Sequence, residues 1–189
     1  MEMAGERLIS APKTTVWKAL NDPQILKASI PGCEQLEVIS ETEMTATVAI
    51  KLGPISARFA GRVKLSDIDP PNAYTLSGEG KGGPAGFAKG AAKVKLAEQA
   101  DGTLLQYTVE AQVGGKLAQL GARLIDTTAK SMADQFFTRF VEQVQPIAIQ
   151  QTNTVTAMAE PAEAKYAKAV WIMLAIGIVI AVAGWFLAG

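Results

Sequence analysis

Apolar and polar residues alternate through the middle of the chain, which is the pattern of strands with one buried face. Between residues 44 and 51, apolar side chains fall at every second position. After a Gly53-Pro54 turn the alternation is clearer, with inward positions at Ile55, Ala57, Phe59, Gly61, Val63 and Leu65. Further alternating runs follow residues 69–72 and 101–102, two turns built from Asp, Asn, Gly and Pro. The pattern predicts a sheet of six or seven consecutive antiparallel strands.

The period changes from two to about 3.6 after Gly114-Gly115, which indicates a helix. A single stripe then recurs every three or four residues, at Leu117, Leu120, Leu124, Thr128, Met132, Phe136, Phe140 and Val144. A helix of this extent is about 45 Å long, which exceeds the usual length and requires a large partner such as the sheet. A strand over residues 3–10 and two short helices, beginning at Pro12 and Pro23, are predicted to precede the sheet.

The last apolar run has no polar side at all. Residues 169–188 contain no charged residue and no Asn, Gln, Ser, Thr or Pro, and as a helix they span roughly 30 Å, the thickness of a bilayer core. Trp171 and Trp185 lie near its two ends, where indole rings favour the membrane interface. The run predicts a single-pass C-terminal transmembrane helix, a tail anchor in the inner membrane of the cell. Lys165 and Lys168 precede it and predict that the main domain is cytoplasmic.

Three regions follow from these patterns. Residues 1–145 suffice for one domain with a substantial core. Residues 146–168 show no sustained period and are rich in Gln, Thr, Asn, Glu and Pro, which predicts a flexible linker. Residues 169–188 form the predicted anchor.

The residue types exclude most catalytic and metal chemistry, so we expect no enzyme. The chain has no histidine, which removes Ser-His and Cys-His nucleophiles and His-containing metal sites. The single cysteine, Cys33, leaves no disulfide and no thiolate cluster for zinc or iron–sulfur. We interpret it as an inert residue beside a helix end, with a reactive role as the alternative. The net charge is zero, which gives no basis for nucleic-acid binding.

A glycine-rich segment matches the dinucleotide spacing without its structural context. In Gly78-x-Gly80-x-x-Gly83 the following residues are strand-like, whereas a pyrophosphate site needs the glycines to open a helix. We expect no nucleotide site. The glycines are instead predicted to bend the strands, and the alternative is that they keep the mouth of a cavity open or mobile.

The element order and several short motifs carry a family resemblance. One strand, two short helices, consecutive antiparallel strands and a long final helix resemble the α+β helix-grip fold of the START-domain and pollen-allergen-like superfamily, whose curved sheet wraps the C-terminal helix. The segments IPGCE, GPI, FAG, GEGKG and VGGKLAQLG, beginning at residues 30, 53, 59, 78 and 113, are similar to those of the family of the carbon monoxide dehydrogenase G subunit. Lys89-Gly90 and the strand containing Tyr107 also fit. The matches spread over residues 1–145.

This resemblance implies an accessory protein and not a catalyst. Members accompany molybdenum-containing carbon monoxide dehydrogenases and related hydroxylases, attach them to the membrane and pass their electrons to quinone. It implies a quinone, menaquinone or ubiquinone, in an apolar cavity between helix and sheet, with no tightly bound cofactor. The candidate lining residues are Phe59, Tyr74, Leu76, Phe87, Tyr107, Leu120, Leu124, Met132 and Phe136. For each of them a place in an ordinary core is the alternative.

Small residues at positions expected to face the helix support a cavity, because they leave volume beneath it. These positions are Ala46, Ala57, Gly61, Gly78, Gly80, Ala91 and Ala111. Tyr74 and Tyr107 hydroxyls are the candidate hydrogen-bond donors to a quinone carbonyl.

Two other functions remain open from the sequence. One is a pure membrane anchor whose interior is filled by side chains. The other is a lipid or isoprenoid carrier unrelated to a dehydrogenase. The outward row Arg58, Arg62 and Lys64 is expected on the outer sheet face, with contact to an acidic patch of a partner enzyme as the alternative.

Overall fold

The computed structural model describes the backbone of residues 1–155 and the side chains of residues 1–145. The elements, in chain order, are β1 (Glu2–Ile9), α1 (Lys13–Ala19), α2 (Pro23–Ser29), β2 (Cys33–Ser40), β3 (Glu43–Leu52), β4 (Ile55–Asp69), β5 (Ala73–Lys81), β6 (Phe87–Gln99), β7 (Gly102–Gly114) and α3 (Ala122–Val155). Single turns of 3₁₀ helix, Gly83–Ala85 and Ala118–Leu120, precede β6 and α3. The predicted α+β order of strand, two short helices, sheet and long helix is confirmed.

All strands belong to one antiparallel sheet in the order β1-β7-β6-β5-β4-β3-β2. Strands β2 to β7 pair with their neighbours in the chain, and β1 closes the far side by pairing with β7. Successive turns therefore lie at opposite ends of the sheet. The β3–β4 turn, the β5–β6 loop and the β7–α3 connection share one end. We call this the glycine end and define it as residues 51–54, 81–87 and 115–124.

The two short helices begin at residues that favour a helix N-terminus. Asp22 caps α2, because its Oδ1 accepts from the backbone N–H groups of Gln24 at 2.8 Å and Ile25 at 3.3 Å. Pro23 occupies the first helical position, where a missing N–H costs nothing. Pro12 stands at the same kind of boundary before α1. Both starts were predicted from the sequence.

The core lies between the inner sheet face and α3. Alternate residues of β4 point inward, and Phe59, Val63 and Leu65 are buried there. From α3, the ring of Phe136 stacks on that of Phe140 at 5.6 Å and meets that of Phe137 edge-on at 5.2 Å. These ring contacts lie within α3, and the burial of the same rings in the core holds the helix on the sheet.

The buried stripe of α3 differs from the predicted one near its start. The helix begins at Ala122, after Gly121 has adopted a φ of +84°, a conformation that favours glycine. Ile125 and Ala129 are buried, whereas Leu124 is 37% exposed. The prediction extended the stripe through Leu124 and Thr128 because it ran one continuous period from residue 117 across a break in the helix. From Met132 onward the predicted and observed stripes agree.

Two details of the sheet also differ from the predictions. Strand β2 was not predicted, because it is an edge strand with no buried residue and hence no alternation. Ala91 was expected to face the helix, but it pairs with Ser77 and Glu110 on the outer face. Its neighbours Ala88 and Ala92 are the buried ones.

Of the C-terminal predictions, the structure bears only on the boundary between the domain and the linker, after residue 145. Helix α3 continues to Val155, ten residues into the range 146–168 that was predicted as linker, so the helix does not end where the domain was expected to end. Among residues 1–155, no helix combines the length and the apolar character needed to cross a membrane. The predicted anchor, residues 169–188, lies outside the described residues.

Candidate ligand-binding site

Five of the nine predicted lining residues are packed in the core. Tyr74, Leu76 and Phe59 of the sheet are at most 2% exposed. Met132 and Phe136 of α3 lie opposite them and are also buried. Their apolar surface is therefore already removed from water by other side chains, as expected for core residues.

Phe87 is on the wrong face for the predicted cavity. It is the first residue of β6, is 38% exposed and is paired with Gly114 across the strands. The next residue, Ala88, is the one that faces the helix and is fully buried. Because successive side chains of a strand point to opposite faces, Phe87 lies on the outer face. The prediction that it lines the cavity is wrong.

Leu120 and Leu124 lie together at the glycine end. Leu120 is partly buried against the core, and Leu124 is exposed on the first turn of α3. A Cβ atom placed on Gly53 would lie 3.2 Å from Cδ2 of Leu124, so the start of the helix packs directly on the β3–β4 turn. Apart from Phe87 on the outer face, these two leucines are the predicted lining residues that water reaches at this end.

The glycine end is assembled from three connections that touch one another. The backbone N–H of Leu117 donates to the carbonyl oxygen of Ala85 at 2.9 Å and ties the β7–α3 connection to the β5–β6 loop. Gly86 and Gly115 approach so closely that neither position has room for a Cβ atom. The loops thus form one layer across the end of the sheet.

Two inward-facing residues of β4 beside this layer are not fully covered. Ile55 and Ala57 have the inward orientation of Phe59, yet they are only partly buried. Leu120 and Leu124, at the start of α3, are also incompletely buried. We call these four partly exposed apolar residues, Ile55, Ala57, Leu120 and Leu124, the apolar opening. The alternation predicted that Ile55 and Ala57 face inward, but only the fold shows that they are accessible.

The two tyrosines occupy one cross-strand row away from this opening. Tyr74 pairs with Val94, Val94 with Tyr107, and Tyr107 with Gly5 of β1. Tyr74 is buried and meets Trp17 edge-on at 5.5 Å. Burial raises the pKa of its phenol well above the usual value. A ligand at the opening would not reach either hydroxyl without moving further into the core.

Tyr107 stands beside an ion pair that joins β1 to α3. Its ring stacks on that of Phe137 at 5.4 Å, and Arg7 pairs with Asp134 across the same place. Partial burial raises the pKa of the Tyr107 phenol, the Arg7 guanidinium lowers it, and the Asp134 carboxylate raises it. The phenol is therefore a protonated donor at neutral pH, able to donate to a carbonyl oxygen.

The remaining candidate groups are structural. The Cys33 thiol donates to the carbonyl oxygen of Gln35 at 3.3 Å. Burial raises its pKa, with Lys27 opposing the shift, so the thiol is protonated and not activated as a nucleophile. The outward arginines of β4 pair with glutamates at 2.9 Å: Arg62 with Glu43 of the adjacent strand β3, and Arg58 with Glu34 of β2, across β3.

The glycines that match the dinucleotide spacing lie in a strand. Gly78 and Gly80 belong to β5, and the segment after them is a single 3₁₀ turn followed by β6, so no long helix offers its N-terminus to a phosphate. A Cβ atom on Gly61, which pairs with Gly80, would lie 3.1 Å from the carbonyl oxygen of Glu79. Gly61 therefore lets the neighbouring strand approach closely. The prediction that Gly78 and Gly80 bend the strands stays a prediction.

Comparison with known proteins assigns this chain to a family. The family model that describes the G subunit of carbon monoxide dehydrogenase (CoxG) matches residues 5–145. A conserved protein from Geobacillus kaustophilus has a similar crystal structure, with 32% sequence identity and a TM-score of 0.73, and the match covers 77% of this chain and 96% of that one. Comparison with curated proteins gave no match.

Two more distant structures share the fold alone. A START superfamily protein from Mycobacterium smegmatis is 10% identical with a TM-score of 0.60, over 77% of this chain and 98% of that one. The crystal structure of Ara h 8.0201 is 18% identical with a TM-score of 0.59 and the same coverage. Because nearly the whole of each solved chain is matched, those proteins fold without a counterpart of the rest of this chain.

Proposed function

Because the chain belongs to the CoxG family of carbon monoxide dehydrogenase proteins, we propose that it is the accessory protein that supplies a molybdenum-containing dehydrogenase with quinone at the membrane. The family and the START-like fold identify a ligand-binding accessory protein of a carbon monoxide dehydrogenase complex, and not an enzyme. The quinone and the membrane attachment are the proposed steps beyond that.

The apolar opening at the glycine end is the observation that supports a ligand. A soluble domain normally covers the inner face of its sheet, because exposed apolar surface is unfavourable in water. Here Ile55, Ala57, Leu120 and Leu124 remain accessible beside a core of aromatic side chains. Such a site suits a molecule with a long apolar body and few polar atoms, and menaquinone and ubiquinone have this form.

The protein would bind and orient the quinone, whose ring supplies the redox chemistry when bound. Residues of the opening would receive the isoprenoid body and exclude water. Tyr107 would donate a hydrogen bond to a quinone carbonyl, provided that the quinone ring lies beneath α3 on the side of β1. The predicted transmembrane helix, residues 169–188, would hold the domain at the cytoplasmic face of the inner membrane, close to the quinone pool and the dehydrogenase.

Two alternatives are distinguishable. A pure anchor would bind the dehydrogenase without a ligand, as a fully packed interior would require. A lipid or isoprenoid carrier would bind an apolar molecule without any dehydrogenase, and the match to the CoxG family argues against it.

Quinone content of the purified domain tests the proposal. Residues 1–155 would be produced in a quinone-synthesising host, purified without detergent and examined by native mass spectrometry and solvent extraction. We expect about one quinone per protein. Leu124→Trp should fill the opening and remove most of the bound quinone, because an added indole occupies the volume that the isoprenoid chain needs.

Thr138→Trp is the matched control, since Thr138 is exposed on α3 about four turns beyond Leu124. It should leave the quinone content unchanged. A domain that contains no quinone and takes none from vesicles would contradict the proposal and favour the pure anchor.

A further inference from the structure

The glycine end combines exposed apolar side chains with cations. Its three segments contain four basic residues and no Asp or Glu, the basic residues being Lys51, Lys81, Lys116 and Arg123. Phe87 and Leu124 are exposed in the same segments. The β5–β6 loop is built largely of Gly, Pro and Ala.

The opposite end of the sheet has the reverse charge. We call it the acidic end and define it as residues 41–42, 67–72 and 98–102, the three turns that face away from the glycine end. These segments contain five carboxylates and no Lys or Arg, the carboxylates being Glu41, Asp67, Asp69, Glu98 and Asp101. Lys13 of α1 reaches this end through a 3.0 Å bond to Asn72. The turns at the two ends of the sheet therefore carry opposite charge in a protein with no net charge.

The other exposed large apolar residues lie elsewhere and in a different setting. Leu8, Val38 and Ile39 are on the two edge strands, on opposite sides of the sheet. Val38 and Ile39 are bracketed by Glu37 and Glu41. Carboxylates around an apolar side chain oppose contact with an anionic surface, so these residues do not form a second surface of the same kind.

We propose that the glycine end is a contact surface for an anionic lipid bilayer. The cations would lie at the headgroup phosphates, and Phe87 and Leu124 would enter the boundary between headgroups and acyl chains. The acidic end would be repelled from the same surface, which orients the domain with its apolar opening toward the lipid. This surface goes beyond the proposed function, because it requires neither a bound quinone nor the segment 169–188.

The size of the effect follows from general membrane electrostatics. Each cation at an anionic leaflet changes the partition coefficient about fivefold, and inserting one large apolar side chain changes it by about tenfold. Loss of two lysines should therefore weaken binding about 25-fold at low salt. Salt should weaken the binding of the unaltered domain, because exposed charges are screened.

Flotation with vesicles tests the surface directly. Residues 1–155 would be mixed with vesicles of phosphatidylcholine alone or of phosphatidylcholine with phosphatidylglycerol. We expect binding to the mixed vesicles only, about 25-fold weaker for Lys51→Gln/Lys116→Gln and about tenfold weaker for Phe87→Ser. The matched control is Lys93→Gln/Lys95→Gln, which removes the same charge from the exposed outer face of β6 and should change binding less than threefold.

A second readout locates the contact without removing a charge. Trp17 is the one tryptophan of residues 1–155 and is buried. Phe87→Trp should therefore report lipid contact through quenching by brominated phospholipids, whereas Ile39→Trp at the edge strand should not be quenched.

Three outcomes would overturn the proposal. Equal losses for the two lysine pairs would show a response to net charge and not to this surface. Quenching at Ile39→Trp and not at Phe87→Trp would place the contact elsewhere. Binding to soluble polyglutamate but to no vesicle would identify an acidic protein as the occupant. Quinone content, measured on Lys51→Gln/Lys116→Gln without vesicles, is a separate result, so failure of the surface and failure of the proposed ligand can be told apart.

Discussion

The ring of Phe59 lies directly on the backbone of Gly82. A Cβ atom at Gly82 would overlap the Cε1 and Cζ atoms of that ring, and Phe59 is 1% exposed. The β5–β6 loop therefore covers an inward aromatic ring of β4 where the glycine end begins. A glycine is required at this position because of its missing side chain, since the loop has no other way to pass the ring so closely.

Gly82→Ala should destabilise the domain by about 1–3 kcal/mol, the usual range for overpacking a core. Urea denaturation followed by circular dichroism measures the change. In a Phe59→Leu background the same substitution should cost clearly less, because the atoms that clash are absent. Gly83→Ala is the control: no atom stands within 4 Å of its Cβ position and only its φ of +56° is strained, so we expect a loss of about 1 kcal/mol. Equal losses at both glycines, independent of Phe59, would refute the contact.

The register of α3 predicts opposite responses from two adjacent residues. Ile125→Ala should destabilise the domain by about 2–4 kcal/mol, because Ile125 is buried against the core. Leu124→Ala should change stability by less than about 1 kcal/mol, because its side chain is partly exposed. Denaturation of residues 1–155 separates the two. A larger loss of stability for Leu124→Ala would show that Leu124 belongs to the buried stripe of α3, as the sequence predicted.

The charges beside Tyr107 should shift the pKa of its phenol in opposite directions. Arg7 lowers this pKa and Asp134 raises it, so Arg7→Gln should raise the titration midpoint and Asp134→Asn should lower it. Phenolate absorbance in a Tyr74→Phe background, which leaves Tyr107 as the one tyrosine of residues 1–155, measures the midpoint. Stability should change by less than about 1 kcal/mol, because both partners of the ion pair are exposed. Shifts of the same sign would contradict this arrangement.

Burial of Tyr74 predicts a loss of stability at high pH. Its folded pKa is raised well above the unfolded value of about 10, so between those two values the folded state holds a proton that the unfolded state has lost. The stabilising contribution is therefore complete below about pH 10 and falls by up to about 1.4 kcal/mol per pH unit above it. Thermal denaturation between about pH 8 and pH 11 should show this fall, and Tyr74→Phe should reduce it. An unchanged pH slope in Tyr74→Phe would exclude Tyr74 as the cause.

Strong periodic signals in the sequence predicted the fold well. The alternation of β4 and the proline-marked starts of α1 and α2 identified these elements because local pattern and tertiary burial agree there. Strand β2 was not predicted because it is an edge strand that buries no side chain fully. A strand held mainly by backbone hydrogen bonds need not show an alternation of apolar and polar residues.

The candidate site was predicted less well, and the errors have physical causes. Around Phe87 the inward positions are Ala88, Gly90 and Ala92, which are too small to mark a face. The one large residue was therefore assigned inward, and an error of one residue reverses the face of a strand. The opening itself depends on which connections meet at the glycine end, and this convergence is a property of the topology and not of any local pattern.

The direction of α3 limits how the domain could stand at a membrane. The helix starts at the glycine end, and its thirty-four residues carry the chain about 50 Å along its axis before Val155. Residues 156–168 reach at most about 45 Å when fully extended and about 20 Å as a flexible chain. If residues 169–188 cross the bilayer, a tether of this reach is shorter than α3, so the glycine end would touch lipid only with α3 tilted toward the membrane plane. With α3 upright, that end would project into the cytoplasm, within reach of a soluble dehydrogenase. Tether length would then set the rate at which one domain alternates between quinone pool and enzyme, and shortening it would leave the enzyme contact while removing the lipid contact.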